Sequence, residues 1–155
     1  MRYLSGCWIA PAAFALDRVT KYFARRMLQG RAPVSVAPGF LRLVYVENPG
    51  AAFGTLAGQR ALLLVLTGAA LLALLFFQIL RGGRLPRLAR ASLWLVIGGA
   101  AGNFFDRLFF GHVIDFIEIT LFRFPVFNVA DVCVVAAFGL LSCMILLSKE
   151  EKSNA

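Results

Sequence analysis

A bundle of four transmembrane helices with a small extramembrane β-sheet and loop on one face is the predicted fold class, and three observations predict it. Of the 155 residues, 60% are hydrophobic and only 15% are charged, against about 45–50% apolar and about 25% charged in a soluble domain. The mean hydropathy is +0.78. Four long stretches carry no charge, and two of the connections between them alternate polar and apolar residues as strands do. These features exclude a disordered chain, a collagen and an ordinary soluble globule, and the length suits a single integral membrane domain over residues 1–155.

The uncharged stretches are Tyr3–Leu16, Ala61–Leu80, Ala91–Phe105 and Val132–Ser148, of 14, 20, 15 and 17 residues. A spanning helix needs about 20 residues, with a range of about 17–25. Only the second reaches that unaided. The first must absorb Asp17 and Lys21, the third Asp106 and Arg107, and the fourth begins at or just before Asp131. Helices are therefore expected over roughly 3–22, 61–80, 91–107 and 129–148. Ionisable side chains are costly inside a bilayer, so those absorbed here are functional candidates.

The first connection is too long for a plain loop. Val34-Ser35-Val36 and Phe40–Val46 read as strands around Pro38-Gly39, with a turn at Asn48-Pro49-Gly50. Val113–Leu121 is again strand-like and is followed by Pro125. The β-rich connections are placed roughly at 31–50 and 112–127.

In an up-and-down bundle, the C-terminal ends of helices 1 and 3 share a membrane face with the N-terminal ends of helices 2 and 4. Asp17 and Lys21 end helix 1, Asn103, Asp106 and Arg107 end helix 3, and Asn128 and Asp131 open helix 4. All converge on one face. The opposite face carries Arg81–Arg90, with four arginines and no acid. By the positive-inside rule that face is cytoplasmic, with both termini (Arg2; Lys149 and Lys152) beside it and the site near the outer face. Arg25, Arg26, Arg31, Arg42 and Arg60 fall in the outer connection, so the density of arginine beside helix ends supports this orientation and the total charge does not decide it.

The formal net charge of +8 does not point to nucleic acid, because the basic residues lie between apolar runs rather than on a polar surface; anionic lipid and topology explain it better. Cys7, Cys133 and Cys143 have no CxxC spacing and read as packing residues. Leu4-Ser5-Gly6-Cys7 has the form of a lipidation tetrapeptide, but only three residues precede it, so no cleaved targeting segment is expected. There is no HExxH, GxSxG or P-loop. Gly98-Gly99-Ala100-Ala101-Gly102 lies within helix 3, where small residues let helices pack closely. His112 reads as a loop residue near the interface, and Trp8 and Trp94 as interfacial anchors or packing residues. No metal or other cofactor is expected.

What remains is carboxylates. The four aspartates, Asp17, Asp106, Asp115 and Asp131, all fall on or near the site face. Two carboxylates held close share a proton, so one can activate water while the other polarises an amide carbonyl. Each also has a plainer reading. Asp17 and Lys21, four apart, form a helix-face ion pair. Asp106 and Arg107 form an interfacial ion pair that ends helix 3, with a polar-shell role added. Asn128 with Asp131 forms a helix N-cap, and Asp115 is a solvated strand residue; these last two stand level with a catalytic role. A small transporter or channel with an aspartate relay is the alternative function, favoured by aspartates spread through the membrane depth. A lipid head-group transferase is a second; it needs an acidic metal-binding cluster on one short helix stretch, and Asp17 has no second Asp nearby.

Five segments add a resemblance that covers nearly the whole chain: Asp17-Arg18-Val19-Thr20-Lys21, Asn48-Pro49-Gly50-Ala51-Ala52-Phe53, Gly98 through Arg107 with Asn103-Phe104-Phe105-Asp106, Val113-Ile114-Asp115-Phe116, and Phe127-Asn128-Val129-Ala130-Asp131. In this order they resemble the lipoprotein signal peptidases (signal peptidase II), bacterial intramembrane aspartyl proteases. The resemblance implies a catalytic pair of Asp115 and Asp131. Asn103, Asp106, Arg107 and Asn128 are implied as a polar shell, Asn48 and Gly50 as an outer-loop contact, and Asp17 and Lys21 as a site-supporting pair. It implies a multi-pass protein of the bacterial cytoplasmic (inner) membrane that removes the signal peptide of a diacylglyceryl-modified prolipoprotein, cleaving before the lipidated cysteine. Its partners would be that substrate and membrane lipid, with no nucleic acid, and a monomer is expected. Pro49 and Val132 depart from the family's usual Thr and Ser or Thr, at positions that supply no carboxylate.

Overall fold

The computed structural model describes residues 4–51 and 55–153, with 148–153 as backbone alone. Residues 1–3, Ala52-Phe53 of the second segment, and the side chains of Lys149 and Lys152 lie outside that description.

The first helix, α1 (Ile9–Leu28), buries Ala10, Ala13, Asp17, Lys21, Ala24 and Leu28. These recur every three or four positions and so form one stripe. The opposite face exposes Leu16, Val19, Tyr22, Phe23 and Met27. Two charges within the buried stripe, and large apolar side chains on the exposed face, depart from the pattern of a soluble helix. Both ends of α1 fall later than the expected 3–22. Residues 4–8 form turns, with Gly6 at φ +87°. Beyond residue 22 the helix continues because Ala24 and Leu28 pack against Ile114 and Phe116. Burying Phe116 and Ile114 there contributes about 1.5–3 kcal/mol each, which fixes the sheet on the end of α1.

The strands β1 (Val34–Ala37), β2 (Leu41–Asn48) and β3 (Val113–Ile119) form an antiparallel sheet in that order. Gly39, at φ +74°, makes the tight turn between β1 and β2. Arg42 faces Glu118 across β2 and β3, and its Nη2 donates to Oε1 at 2.9 Å. On its other side β3 meets Phe127, whose backbone pairs with Ile117. The register of β2 slips between Leu43 and Val46, after which Val46 faces Asp115 and Asn48 faces Val113.

Helix α2 (Arg60–Arg81), helix α3 (Arg87–Phe109) and helix α4 (Val129–Ser153) complete the bundle. Pro86, at φ −54°, precedes α3 and starts it ahead of the expected residue 91. The segments Arg60–Arg84, Arg87–Phe109 and Val129–Leu147 are long and apolar enough to cross a membrane. Helix α1 has the length, but it carries Asp17, Arg18, Lys21, Arg25 and Arg26.

Helix α3 packs against each of the other three helices. A Cβ at Gly98 would collide with the backbone of Ala10, one at Gly99 with the carbonyl of Ala130, and one at Gly102 with the carboxylate of Asp17. The glycine-rich run thus admits α1 on one side and α4 on the other. Trp94 is buried with Ala10 and Ile97 at the far end of the bundle, whereas Trp8 is exposed. Cys133 packs against Gly99, but Cys7 and Cys143 face outward, so the packing expectation fails for those two. Arg90 also turns inward, donating to the carbonyls of Ser5 and Gly82.

Candidate active site

Asp131 sits in the first turn of α4. Asn128, just before that helix, accepts the Asp131 backbone N–H on Oδ1 at 3.1 Å, and its own backbone N–H donates to Asp131 Oδ2 at 3.1 Å. This reciprocal cap satisfies two donors that a helix start leaves open. It also fixes the direction of the carboxylate, and the expected cap is present.

Asp115 is 3% exposed, and here the solvated-strand expectation is overturned. The first four residues of β3 are buried without alternation, because the strand lies over the helix ends with β2 on one side and Phe127 on the other. Asp115 Oδ1 accepts from Asn128 Nδ2 at 2.6 Å, and Oδ2 accepts from Asn48 Nδ2 at 3.0 Å. Burial pushes the Asp115 carboxyl up to about 6. The Asn48 bond opposes this, the nearby Asp131 charge adds to it, and the Asn128 bond and Lys21 oppose it.

Asn103, on α3, donates from Nδ2 to Asp131 Oδ1 at 2.7 Å. Its Oδ1 accepts from Asn128 Nδ2 at 3.1 Å and from Lys21 Nζ at 2.7 Å. Lys21 is fully buried and also contacts Asp17 Oδ2 at 3.0 Å and Asp106 Oδ2 at 2.8 Å. The remaining oxygen of Asp17 accepts the backbone N–H of Ala130 at 3.1 Å. Asp106 Oδ2 also accepts the backbone N–H of Ile114 at 3.3 Å.

The expected Asp106–Arg107 pair is absent among the described contacts. Neighbours on a helix point about 100° apart. Asp106 therefore faces α1, where it meets Arg18 Nη1 at 2.6 Å. Arg107 turns to the outer loop and donates to the Gly50 carbonyl at 2.7 Å. Asn48 Oδ1 accepts the Gly50 N–H at 3.0 Å, and a Cβ on Gly50 would strike the Thr55 carbonyl. Two contributors had been given no role from sequence. Arg18 ties Asp17 to Asp106 and lies over the Phe105 ring; its signal is a cation directly beside Asp17 at the end of an apolar run. Arg60 donates to the carbonyls of Arg107 and Leu108, which closes the end of α3, and no local pattern announces it.

Asp115 and Asp131 line one cavity of about 710 Å³, with Asn103 and Arg107 on one wall and Thr67, Val132 and Val135 on apolar helix faces. A second cavity, of about 970 Å³, lies along the sheet beside Arg42, Glu118 and Phe122. Asn48 and Asp115 border both. All four aspartates belong to this one hydrogen-bonded assembly rather than to positions spread through the bundle. An acid pair beside an apolar trough, with amide donors on every carboxylate oxygen, is able to polarise an amide and a water together.

The profile of the family described as signal peptidase (SPase) II matches residues 9–147. The chain is 35% identical over 149 residues to the lipoprotein signal peptidase of Clostridium acetobutylicum, covering 94% of this chain and 96% of that one. It is 38% identical over 149 residues to the lipoprotein signal peptidase of Symbiobacterium thermophilum, covering 95% and 97%. A solved structure described as a bacterial membrane enzyme, obtained by the in meso method, superposes with a TM-score of 0.86 at 31% identity, covering 96% of this chain and 91% of that one. The chain belongs to the signal peptidase II family of proteases.

Proposed function

We propose that this protein is an intramembrane aspartyl endopeptidase. It removes the signal peptide from diacylglyceryl-modified prolipoproteins, cutting on the N-terminal side of the lipidated cysteine, with Asp115 and Asp131 as the catalytic pair. The observation that carries the reading is the bridge made by Asn128. Its amide donates to the Asp115 carboxylate, while its backbone N–H and side-chain oxygen hold Asp131.

In the reaction, one carboxylate takes a proton from water as the water oxygen attacks the scissile carbonyl carbon. The other gives its proton to the carbonyl oxygen, forming a neutral gem-diol. As the C–N bond breaks, the first returns its proton to the leaving nitrogen and the second recovers its own from the diol. No covalent intermediate forms, and one water is consumed.

The apolar faces of α2, α3 and α4 around Thr67, Val132 and Val135 suit a signal helix and acyl chains. Helix α1 serves as the fourth span, with Asp17, Arg18 and Lys21 turned to α3 and α4 and Leu16, Val19 and Phe23 to lipid. Arg81, Arg84 and Arg87, between α2 and α3, favour a cytoplasmic position for that end, which leaves the acid pair near the outer face of the bacterial inner membrane. Asn48, Gly50 and Arg107 hold the outer loop over the cavity.

Incubating the protein with a lipidated prolipoprotein in detergent micelles, and reading product size on a gel, tests the proposal. Cleavage by the parent chain and none by Asp115→Asn or Asp131→Asn, both still inserted in membranes, is the expected result. Substantial cleavage by either variant removes the pair.

A further inference from the structure

The Lys21 ammonium has three N–H donors, and all three are engaged, by Asp17, Asp106 and Asn103. An ammonium has no acceptor, so the Asn103 amide can present only its oxygen to Lys21. Its NH₂ must then face the other way, where Asp131 lies at 2.7 Å. The same oxygen takes the Asn128 NH₂, which turns the Asn128 oxygen toward the Asp131 backbone N–H. A single buried cation thereby sets the orientation of both asparagines.

The charges around Asp131 are countable from every element packed against it. Helix α1 brings Asp17, Arg18 and Lys21, helix α3 brings Asp106 and Arg107, and β3 brings Asp115. Helix α2 contributes Thr67 to the cavity wall, while its Arg60 is held on the carbonyls of Arg107 and Leu108. Arg18 and Lys21 are matched by Asp17 and Asp106. Arg107 then stands against two carboxylates, and one proton on the pair makes the assembly neutral, as burial demands.

The two carboxylates are unequal hosts for that proton. Asp131 lies at the N-terminal end of α4, where the helix field favours an anion. It also receives the amide chain that begins at the Lys21 cation. Asp115 lies on a strand, which has only a small net dipole.

We propose that Lys21 is a positioning residue which, acting through Asn103, makes Asp131 the ionised carboxylate that takes the proton from water and leaves Asp115 as the acid that protonates the scissile carbonyl. The assignment rests on the two-aspartate reading above and adds to it which aspartate does which task. The upward displacement of the Asp115 carboxyl by burial agrees with it.

The test measures kcat and KM across the pH range in which carboxylates titrate, on the full chain in detergent micelles, with a fluorogenic diacylglyceryl-cysteine signal peptide as substrate. Lys21→Met removes the cation at similar length. Asn103→Leu removes the donor to Asp131 without adding a charge, so it decides the matter if Lys21→Met does not fold. In each, kcat is expected to fall at least about tenfold with KM within about twofold, and the acid limb of the profile to move up by about one pH unit. A purely structural role lowers activity with folded fraction and leaves the limb where it was. A variant that unfolds at the parent's temperature and shows an unmoved limb overturns the assignment. If Asp115→Asn and Asp131→Asn are both silent in that case, only the role of Lys21 falls. If either of them cleaves, the two-aspartate reading itself falls.

Discussion

Asp17 on α1 accepts the backbone N–H of Ala130, in the first turn of α4, at 3.1 Å across 113 residues of sequence. The same carboxylate contacts Lys21 and Arg18. It is the point at which the first helix grips the start of the last.

Replacing Asp17 with Asn leaves the buried Lys21 and the half-buried Arg18 facing Asp106 alone. Removing one partner of a buried ion pair costs about 3–5 kcal/mol. The Asp17→Asn variant is expected to unfold at clearly lower temperature in detergent while retaining residual turnover below that temperature. Thermal unfolding measured beside cleavage checks this; a parental melting profile with no turnover contradicts it.

Asn128→Ala removes the donor to Asp115 Oδ1 and the side-chain half of the α4 cap. Loss of the cap costs about 1 kcal/mol. Loss of alignment between the two acids is expected to cost more, with kcat down by about a hundredfold or greater. Comparing the melting temperature with kcat separates the two effects, and a fall in kcat that merely tracks stability refutes the alignment role.

Gly99→Ala places a Cβ 2.6 Å from the Ala130 carbonyl. Overpacking of this kind costs about 1–3 kcal/mol, and the part that yields is the first turn of α4, which carries Asp131. Turnover is therefore expected to fall by at least about tenfold at temperatures where the variant remains folded. Gly139, with nothing within 4 Å of an added Cβ, should accept alanine with cleavage unchanged.

The pH dependence of stability follows from Asp115. Its folded value of about 6 lies above the ordinary 3.8, so between these pH values the folded state holds a proton that the unfolded chain has released. Its contribution to stability is greatest below about pH 4 and declines as pH rises through 6, by on the order of 3 kcal/mol in all. Melting temperature should fall across that window, and Asp115→Asn should flatten the slope. An unchanged slope in the variant assigns the titration to another group.

Apolar length and turn chemistry suffice to find α2, α4 and the three strands, because each depends on neighbours close in sequence. Up-and-down topology then brings the aspartates, far apart in sequence, to one end of the bundle. Asp115 was harder: a single acid in an alternating strand is ordinary, and its burial depends on α1 running on to Leu28 beneath the sheet. The Asp106–Arg107 expectation failed because adjacency in sequence is not adjacency on a helix. The amide orientations of Asn103 and Asn128 depend on Lys21, a contact made 82 residues away, which no local pattern encodes.

Within α1, Arg18 and Lys21 have only Asp17 as an anion; Asp106 lies on α3 and the Ala130 N–H on α4, so the first helix leaves the ribosome well before its buried stripe is fully matched. Lipid alone offers Asp17 and Lys21 poor shelter. With α1 as the proposed fourth span, the expected consequence is concerted biogenesis, in which α1 enters the bilayer together with its late-made partners. Nascent chains halted before α3 should leave α1 extractable by alkaline carbonate, whereas the finished chain should resist extraction.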